Sequence, residues 1–180
     1  MLLSLMEIVS LVIMTVALGY IFSGYLIRDQ YSGGFSWKEL KFSMIVAAPA
    51  VVLHEFGHKF VAMALGHSAT FFVYWWGLGL ALVLKLISSP LLILAPAYVS
   101  IPAGVPAWDG LWIAFAGPLV NLALFVTSIL FIKYKKKMGK REFMGWTISK
   151  KLNMFLFIFN MIPLAPLDGS HVLSNLLSLL

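Results

Sequence analysis

Residues 43–66 read SMIVAAPAVVLHEFGHKFVAMALG, a run that is almost wholly apolar apart from HEFGH at positions 54–58. About 20 apolar residues in a helix are enough to cross the hydrocarbon core of a bilayer. Ionisable side chains within such a run are costly, so they usually have a partner or a function. The stretch therefore predicts a transmembrane helix that carries a polar site along its length.

The spacing of the polar residues in this run suggests metal chemistry. His54 and His58 are four residues apart, so on a helix they lie on one face about one turn from each other. Both imidazoles can then bind one zinc ion, and Glu55 can act on a zinc-bound water. The H-E-x-x-H pattern alone is weak evidence, because two histidines that pack between helices produce the same pattern.

The composition of the whole chain favours a membrane protein. Of its 180 residues, 61% are hydrophobic and 11% are charged, whereas soluble domains carry about 25% charged residues. A water-soluble fold of this composition would have too little polar surface. The chain contains no cysteine, which excludes disulfides and thiolate metal ligands.

Several segments are long and apolar enough to cross a membrane. The predicted spans are residues 1–27, 43–66, 111–132 and 152–180. The first span lacks a basic start, carries Glu7 and is too long for a signal peptide, so we interpret it as uncleaved. The last is interrupted by Pro163 and Pro166.

Residues 69–107 are apolar but broken by glycine and proline. They contain TFFVYWW and AYVSI, whose β-branched and aromatic residues are typical of short strands. We predict an α-helical membrane protein of about four transmembrane helices, with a short β-structured, re-entrant segment at residues 69–107 between spans two and three. Residues 1–180 would form a single membrane-embedded core. A complete extra span through residues 77–94 is the alternative.

The net charge of +6 is concentrated in residues 133–151, which contain eight lysine or arginine residues and one acidic residue, Glu142. This basic tract links two apolar spans and lacks a recognisable nucleic-acid-binding module. We therefore expect it to meet lipid headgroups, and we expect no nucleic-acid partner. The positive-inside rule would place the tract in the cytoplasm.

A catalytic zinc site needs a third protein ligand and an open position for water. The acidic residues in the predicted spans are Glu7, Glu55 and Asp168. Asp168 follows the proline break of the last span, and a carboxylate ligand would lower the net charge of the site to about +1. We predict that one zinc ion per chain is bound by His54, His58 and Asp168. His171, one turn later, is an alternative ligand.

Three motifs in this order, HEFGH, FAGPLVN and NMIPLAPLDG, resemble the site-2 protease family of intramembrane zinc metalloproteases. The chain is especially similar to short prokaryotic or archaeal members that consist of little more than the membrane core. The resemblance implies His54, His58 and Asp168 as metal ligands and Glu55 as the catalytic glutamate. It also implies that Asn160 faces the site and holds the substrate or the oxyanion.

The middle motif matches the family's G-P-x-x-N element through Gly117, Pro118 and Asn121. We expect Gly117 and Pro118 to shape the backbone and its packing. For Asn121, a hydrogen bond between helices and a contact with the site both remain open.

The family also has a β-structured loop after the H-E-x-x-H helix. The family's usual topology places the basic tract outside the cell, whereas the positive-inside rule places it in the cytoplasm, so the orientation stays open.

The resemblance implies hydrolysis of peptide bonds within or near transmembrane segments of other membrane proteins, as in regulated intramembrane proteolysis. The expected partners are a transmembrane protein substrate and the lipid bilayer, and the expected location is a prokaryotic cell membrane crossed several times. A membrane zinc-binding or transport protein without proteolysis is the main alternative. A prenyl-protein-processing enzyme would need a glutamate ligand, and after His58 only Glu142 is available.

Overall fold

The computed structural model of the chain describes residues 3–23, 36–89 and 97–180. Its helices are α1 (Leu5–Phe22), α2 (Trp37–Val46), α3 (Ala48–Ala64), α4 (Trp75–Leu86), α5 (Ala107–Tyr134), α6 (Lys140–Asn160) and α7 (Asp168–Leu177). The strands are β1 (Thr70–Val73) and β2 (Ala97–Ser100). Two compact units result: one contains Met1–Val52 and Thr70–Ser100, the other Leu53–Ala69 and Ile101–Leu180.

In the first unit, α1 begins with a capping box. The Ser4 side chain accepts a hydrogen bond from the Glu7 backbone N–H, and the Glu7 carboxylate accepts one from the Ser4 backbone N–H. The other Glu7 oxygen accepts a hydrogen bond from the backbone N–H of Phe71 in β1, at 2.8 Å. These donors offset the cost of burying a carboxylate in an apolar helix.

The two strands of the first unit confirm the β-structure expected in residues 69–107. They are antiparallel, with Thr70 opposite Ser100 and Val73 opposite Ala97. The rings of Phe72 and Tyr98 stack across the strands with centroids 5.7 Å apart, a pairing that stabilises a small sheet.

Helix α4 follows β1 and has 12 residues. At 1.5 Å per residue it is about 18 Å long, shorter than the hydrocarbon core of about 30 Å. Residues 90–94 of the alternative span 77–94 lie outside the described residues, so the re-entrant segment stays a prediction.

Among the described residues, three helical stretches are long and apolar enough to cross a membrane. They are Leu5–Phe22, Trp37–Ala64 and Ala107–Tyr134. The first lies within the predicted span 1–27, of which residues 1–2 and 24–27 are outside the described part. The second joins α2 and α3 through Ala47 and begins before the predicted 43–66. The third extends the predicted 111–132 at both ends.

The predicted fourth span is divided between α6 and α7. Helix α6 begins at Lys140, so most of the basic tract is helical, and residues 135–139 alone connect α5 to α6. Lysine, arginine and glutamate are good helix formers, which explains why a charged tract extends a membrane helix. Charged residues lie both at the start of α6 and in its middle, at Lys150 and Lys151, so α6 is not among the three apolar candidates. The four-span count stays a prediction.

In the second unit, α3 and α5 approach closely at Gly57. A Cβ atom at this position would lie 2.8 Å from the carbonyl oxygen of Ala116 and 2.9 Å from the Cγ2 atom of Val120. The missing side chain therefore permits the contact, as small residues do between membrane helices.

We expect Gly57→Ala to lower the thermal unfolding midpoint of the zinc-free protein in detergent. The added methyl group must displace the α5 backbone, an overpacking effect of about 1–3 kcal/mol. Gly79→Ala in α4 is the matched control, because a Cβ atom there would meet no atom of the described residues within 4 Å outside its own helix. Equal unfolding midpoints for the two variants would contradict the proposed close contact.

Candidate metal centre

The second unit brings together the three side chains predicted to bind metal. His54 and His58 lie on α3, and Asp168 is the first residue of α7. The Nε2 atoms of the two histidines are 3.1 Å apart. The Oδ2 atom of Asp168 lies 3.1 Å from His54 Nε2 and 3.4 Å from His58 Nε2. These three residues form a group that can hold one metal ion.

Hydrogen bonds on the far side of each imidazole leave the Nε2 atoms free to bind a metal. His58 Nδ1 lies 2.7 Å from the carbonyl oxygen of Ile113, and His54 Nδ1 lies 2.7 Å from Oδ1 of Asn121. Both oxygens accept hydrogen bonds, so Nδ1 carries the proton in each neutral ring and Nε2 keeps its lone pair. This hydrogen-bonding pattern is typical of metal-binding histidines.

The geometry and chemistry of this donor set fit zinc. Tetrahedral zinc with Zn–N and Zn–O bonds of about 2.0–2.2 Å has ligand atoms about 3.3 Å apart, close to the observed separations. The buried Oδ2 atom of Asp168 has no hydrogen-bond partner within the described part of the chain. A bound cation would satisfy this oxygen and relieve the repulsion among three lone pairs.

Helix α5 makes room for the centre at Gly117. A Cβ atom at this position would lie 2.7 Å from the Nε2 and Cε1 atoms of His54, and would also collide with Nε2 of His58. Gly117 therefore serves packing, as expected, and the groups that pack against it are the metal-binding edges of both histidines.

The turn between α6 and α7 positions Asp168. Pro163 and Pro166 disfavour a continuous helix, and α7 starts at Asp168 after Leu167 as its N-cap. A Cβ atom at Gly169 would collide with the carbonyl group of Met161, so the glycine lets the turn fold back tightly. The alternative ligand His171 is exposed on α7 and does not belong to the three-residue group.

The two predicted catalytic residues differ in their placement. Glu55 is buried on α3 and lies within electrostatic range of His54, His58 and Asp168. Asn160 is half-buried at the end of α6. Within the described residues, no hydrogen bond joins its side chain to the ligand group, so its role stays a prediction.

A different asparagine of α6 reaches the site through Asn121. Asn153 is 1% exposed, and its Oδ1 atom accepts a hydrogen bond from Nδ2 of Asn121 at 2.9 Å. None of the sequence motifs includes this residue. Its signal was an amide near the start of the apolar run LNMFLFIFN, which also ends in Asn160, because a buried polar group in such a run needs a partner on another helix.

Comparison with known proteins places the chain in a family. It is 35% identical over 170 residues to the Methanocaldococcus jannaschii protein named "Putative zinc metalloprotease MJ0611", an alignment covering 93% of this chain and 83% of that protein. The chain belongs to this zinc metalloprotease family. The result confirms the recognition of a site-2 protease-like member, and together with the His54, His58 and Asp168 group it confirms zinc as the expected cofactor.

Two longer relatives carry similar names. "Putative zinc metalloprotease sll0528" of Synechocystis sp. is 30% identical over 82% of this chain and 34% of its own length. "Zinc metalloprotease MJ0392" of Methanocaldococcus jannaschii is 29% identical over 72% of this chain and 32% of its own length. No family model matches the chain, and no solved structure matches it significantly.

We expect Asp168→Ala to abolish stoichiometric zinc binding, because it removes one of three ligands and leaves two neutral histidines. His171→Ala, on the same helix, is the matched control and should retain about one zinc per chain. Elemental analysis of both purified proteins measures the difference. Zinc retained by Asp168→Ala but lost by His171→Ala would transfer the ligand role to His171.

Proposed function

We propose that the protein is an intramembrane zinc metalloprotease of the site-2 type. It hydrolyses peptide bonds within or near transmembrane segments of other membrane proteins, as in regulated intramembrane proteolysis. The observation that carries this proposal is the position of the donor group. His54, Glu55 and His58 are buried in the helical stretch Trp37–Ala64, which is apolar enough to cross a membrane.

The side chains of the centre have different roles in the proposed reaction. His54, His58 and Asp168 would hold the zinc ion, which supplies Lewis-acid catalysis when bound. Glu55 acts as the general base: it takes a proton from the attacking water and passes it to the leaving amide nitrogen. Asn160 is proposed to donate a hydrogen bond to the developing oxyanion, which requires its side chain to turn towards the substrate.

A membrane zinc carrier without proteolysis would use the same three ligands. It would need no buried carboxylate that is free to exchange protons, so Glu55 separates the two functions. In the protease, this side chain takes part in bond cleavage; in a carrier, the neutral amide of glutamine would serve equally well.

We expect Glu55→Gln to keep about one zinc per chain and to reduce peptide cleavage by about 10²–10⁴-fold, the usual contribution of general acid–base catalysis. Cleavage is followed on a model transmembrane substrate in detergent or proteoliposomes, with the wild-type protein plus chelator as the inactive reference. Wild-type cleavage by the zinc-loaded variant would remove Glu55 from the mechanism. Zinc transport that survives the substitution, without cleavage by either protein, would favour the carrier.

We further propose that the chain is a multi-pass protein of a prokaryotic cell membrane, with a single membrane-embedded core. The fourth crossing would comprise residues 152–180, and the segment 69–107 would be re-entrant. Support comes from large apolar side chains that α6 and α7 expose, including Phe155 and Ile158 at 58% and Leu177 at 60%. Exposed apolar surface of this extent suits contact with lipid.

The junction of α5 and α6 is proposed to face anionic lipid headgroups on the cytoplasmic side. Its exposed basic residues are Lys133, Lys135, Lys136, Lys137, Lys140 and Arg141. Beside them, the rings of Phe131 and Trp146 stack with centroids 4.4 Å apart, and tryptophan is common at membrane interfaces. Within the tract, Lys135 forms an ion pair with Glu142.

The absence of native cysteine makes this orientation simple to test. Helix α5 has 28 residues and is about 42 Å long, so its two ends should reach opposite membrane faces. We expect Lys136→Cys to react with a membrane-impermeant maleimide only after cells are permeabilised, and Ala103→Cys to react in intact cells. The reverse labelling pattern would establish the topology usual for the site-2 protease family.

A further inference from the structure

A chain of buried hydrogen bonds runs from a proposed zinc ligand to the backbone of α6. His54 Nδ1 lies 2.7 Å from Oδ1 of Asn121, and Nδ2 of Asn121 donates to Oδ1 of Asn153 at 2.9 Å. Nδ2 of Asn153 then donates to the carbonyl oxygen of Ser149 at 2.8 Å. Asn121 and Asn153 are 0% and 1% exposed, so bulk water is kept away from both amides.

The backbone carbonyl of Ser149 is the last acceptor in this series of hydrogen bonds, and it determines which atom donates in each of them. A backbone carbonyl can only accept, so the amide nitrogen of Asn153 must face Ser149 and its oxygen must face Asn121. Asn121 must then turn its nitrogen towards Asn153 and its oxygen towards His54. An amide oxygen also only accepts, so the proton of the neutral His54 ring lies on Nδ1.

This direction matters because an asparagine amide can rotate. Asn121 rotated by half a turn would present its nitrogen to His54, which suits the tautomer with the proton on Nε2. That tautomer has no lone pair on the atom that faces His58 and Asp168, so it cannot bind the metal there. In the observed arrangement, the rotated state would place two amide oxygens against each other.

The second histidine ligand is held differently. His58 Nδ1 faces the carbonyl oxygen of Ile113 directly, at 2.7 Å, and a carbonyl needs no further partner to define its role as an acceptor. The ring of His58 is therefore oriented by α5 alone. The ring of His54 depends on an amide that is itself reversible, and hence on α6.

We propose that Asn153 is a positioning residue of the zinc centre, which acts through Asn121 to hold His54 in the tautomer with a free Nε2 atom. The inference rests on the zinc-binding role proposed for His54 and is independent of whether the protein cleaves peptides. It adds α6 to the elements that determine zinc affinity, although the described contacts place no α6 side chain among the ligands.

The test is a double-mutant cycle on zinc affinity, measured by competition with a chromophoric chelator on the full chain in detergent. Asn153→Leu should weaken zinc binding by about 10–100-fold, as loss of a partner of a metal ligand usually does. In an Asn121→Asp background, the same substitution should change affinity less than about threefold. A carboxylate presents an oxygen to His54 in either rotation, so it no longer needs Asn153 for direction.

Two controls separate this role from simple packing. Thr147→Val lies on the same helix and removes a hydroxyl that donates only to the carbonyl oxygen of Phe143 among the described contacts, so it should leave zinc affinity within about twofold of wild type. Ser149→Ala removes the hydroxyl but keeps the backbone carbonyl, and should also preserve affinity. If Asn153→Leu does not fold, the smaller Asn153→Ala takes its place in the cycle.

Equal losses from the Asn153 substitution in both backgrounds would overturn the proposal, because packing would then explain the effect. A tenfold loss in Ser149→Ala would also overturn it, because the hydroxyl would then be the deciding acceptor. Wild-type protein that binds no zinc would instead refute the proposed metal role of His54. Wild-type protein that binds zinc but cleaves no peptide would refute the proposed protease activity and leave the role of Asn153 intact.

Discussion

The second unit is organised around three lone pairs that point at one another. Nε2 of His54, Nε2 of His58 and Oδ2 of Asp168 lie within 3.4 Å of each other in a largely buried setting. Such donors repel unless a cation lies among them, and a low-polarity interior strengthens the repulsion. Zinc binding and folding of this unit should therefore be coupled, as they are where a metal neutralises its own ligands.

The same constraint explains the glycines around the centre. Helix α5 passes close to α3 at the centre, and a side chain at the points of contact would collide with the imidazole rings or with the backbone. Gly57 permits the approach of α3 to α5, and Gly117 leaves space at the metal-binding edges of the rings. Gly169 allows the turn before α7 to aim Asp168 at the same point. Close backbone packing of this kind is how helices associate without a hydrophobic driving force.

Buried polar groups of both units are satisfied largely by the backbone. Glu7 accepts from the N–H of Phe71, Lys59 donates to the carbonyl of Ala69, and His58 donates to the carbonyl of Ile113. A backbone partner has a fixed role as donor or acceptor, so each of these side chains has one preferred orientation. His54 differs from these three side chains, because its partner is the side-chain amide of Asn121, which can rotate and is oriented by its hydrogen bond to Asn153.

Much of the centre could be predicted from local patterns. The four-residue spacing of the histidines places them on one helical face, and the scarcity of acidic residues in apolar spans left Asp168 as the natural third ligand. The strands in residues 69–107 were equally predictable from their β-branched and aromatic residues. The helical course of the basic tract was not, because charge suggests a loop while the propensity of lysine and arginine favours helix.

The asparagine residues near the centre show what could not be predicted from the sequence. Asn121, Asn153 and Asn160 are alike in type and in apolar surroundings, and the motif resemblance drew attention to Asn160. The packing of α6 against α5 instead brings Asn153 to Asn121 and so to His54. Residue type and spacing along one helix specify which side chains share a face. Which of them meets a partner depends on the rotation and register of two helices, and those follow from packing along the whole interface.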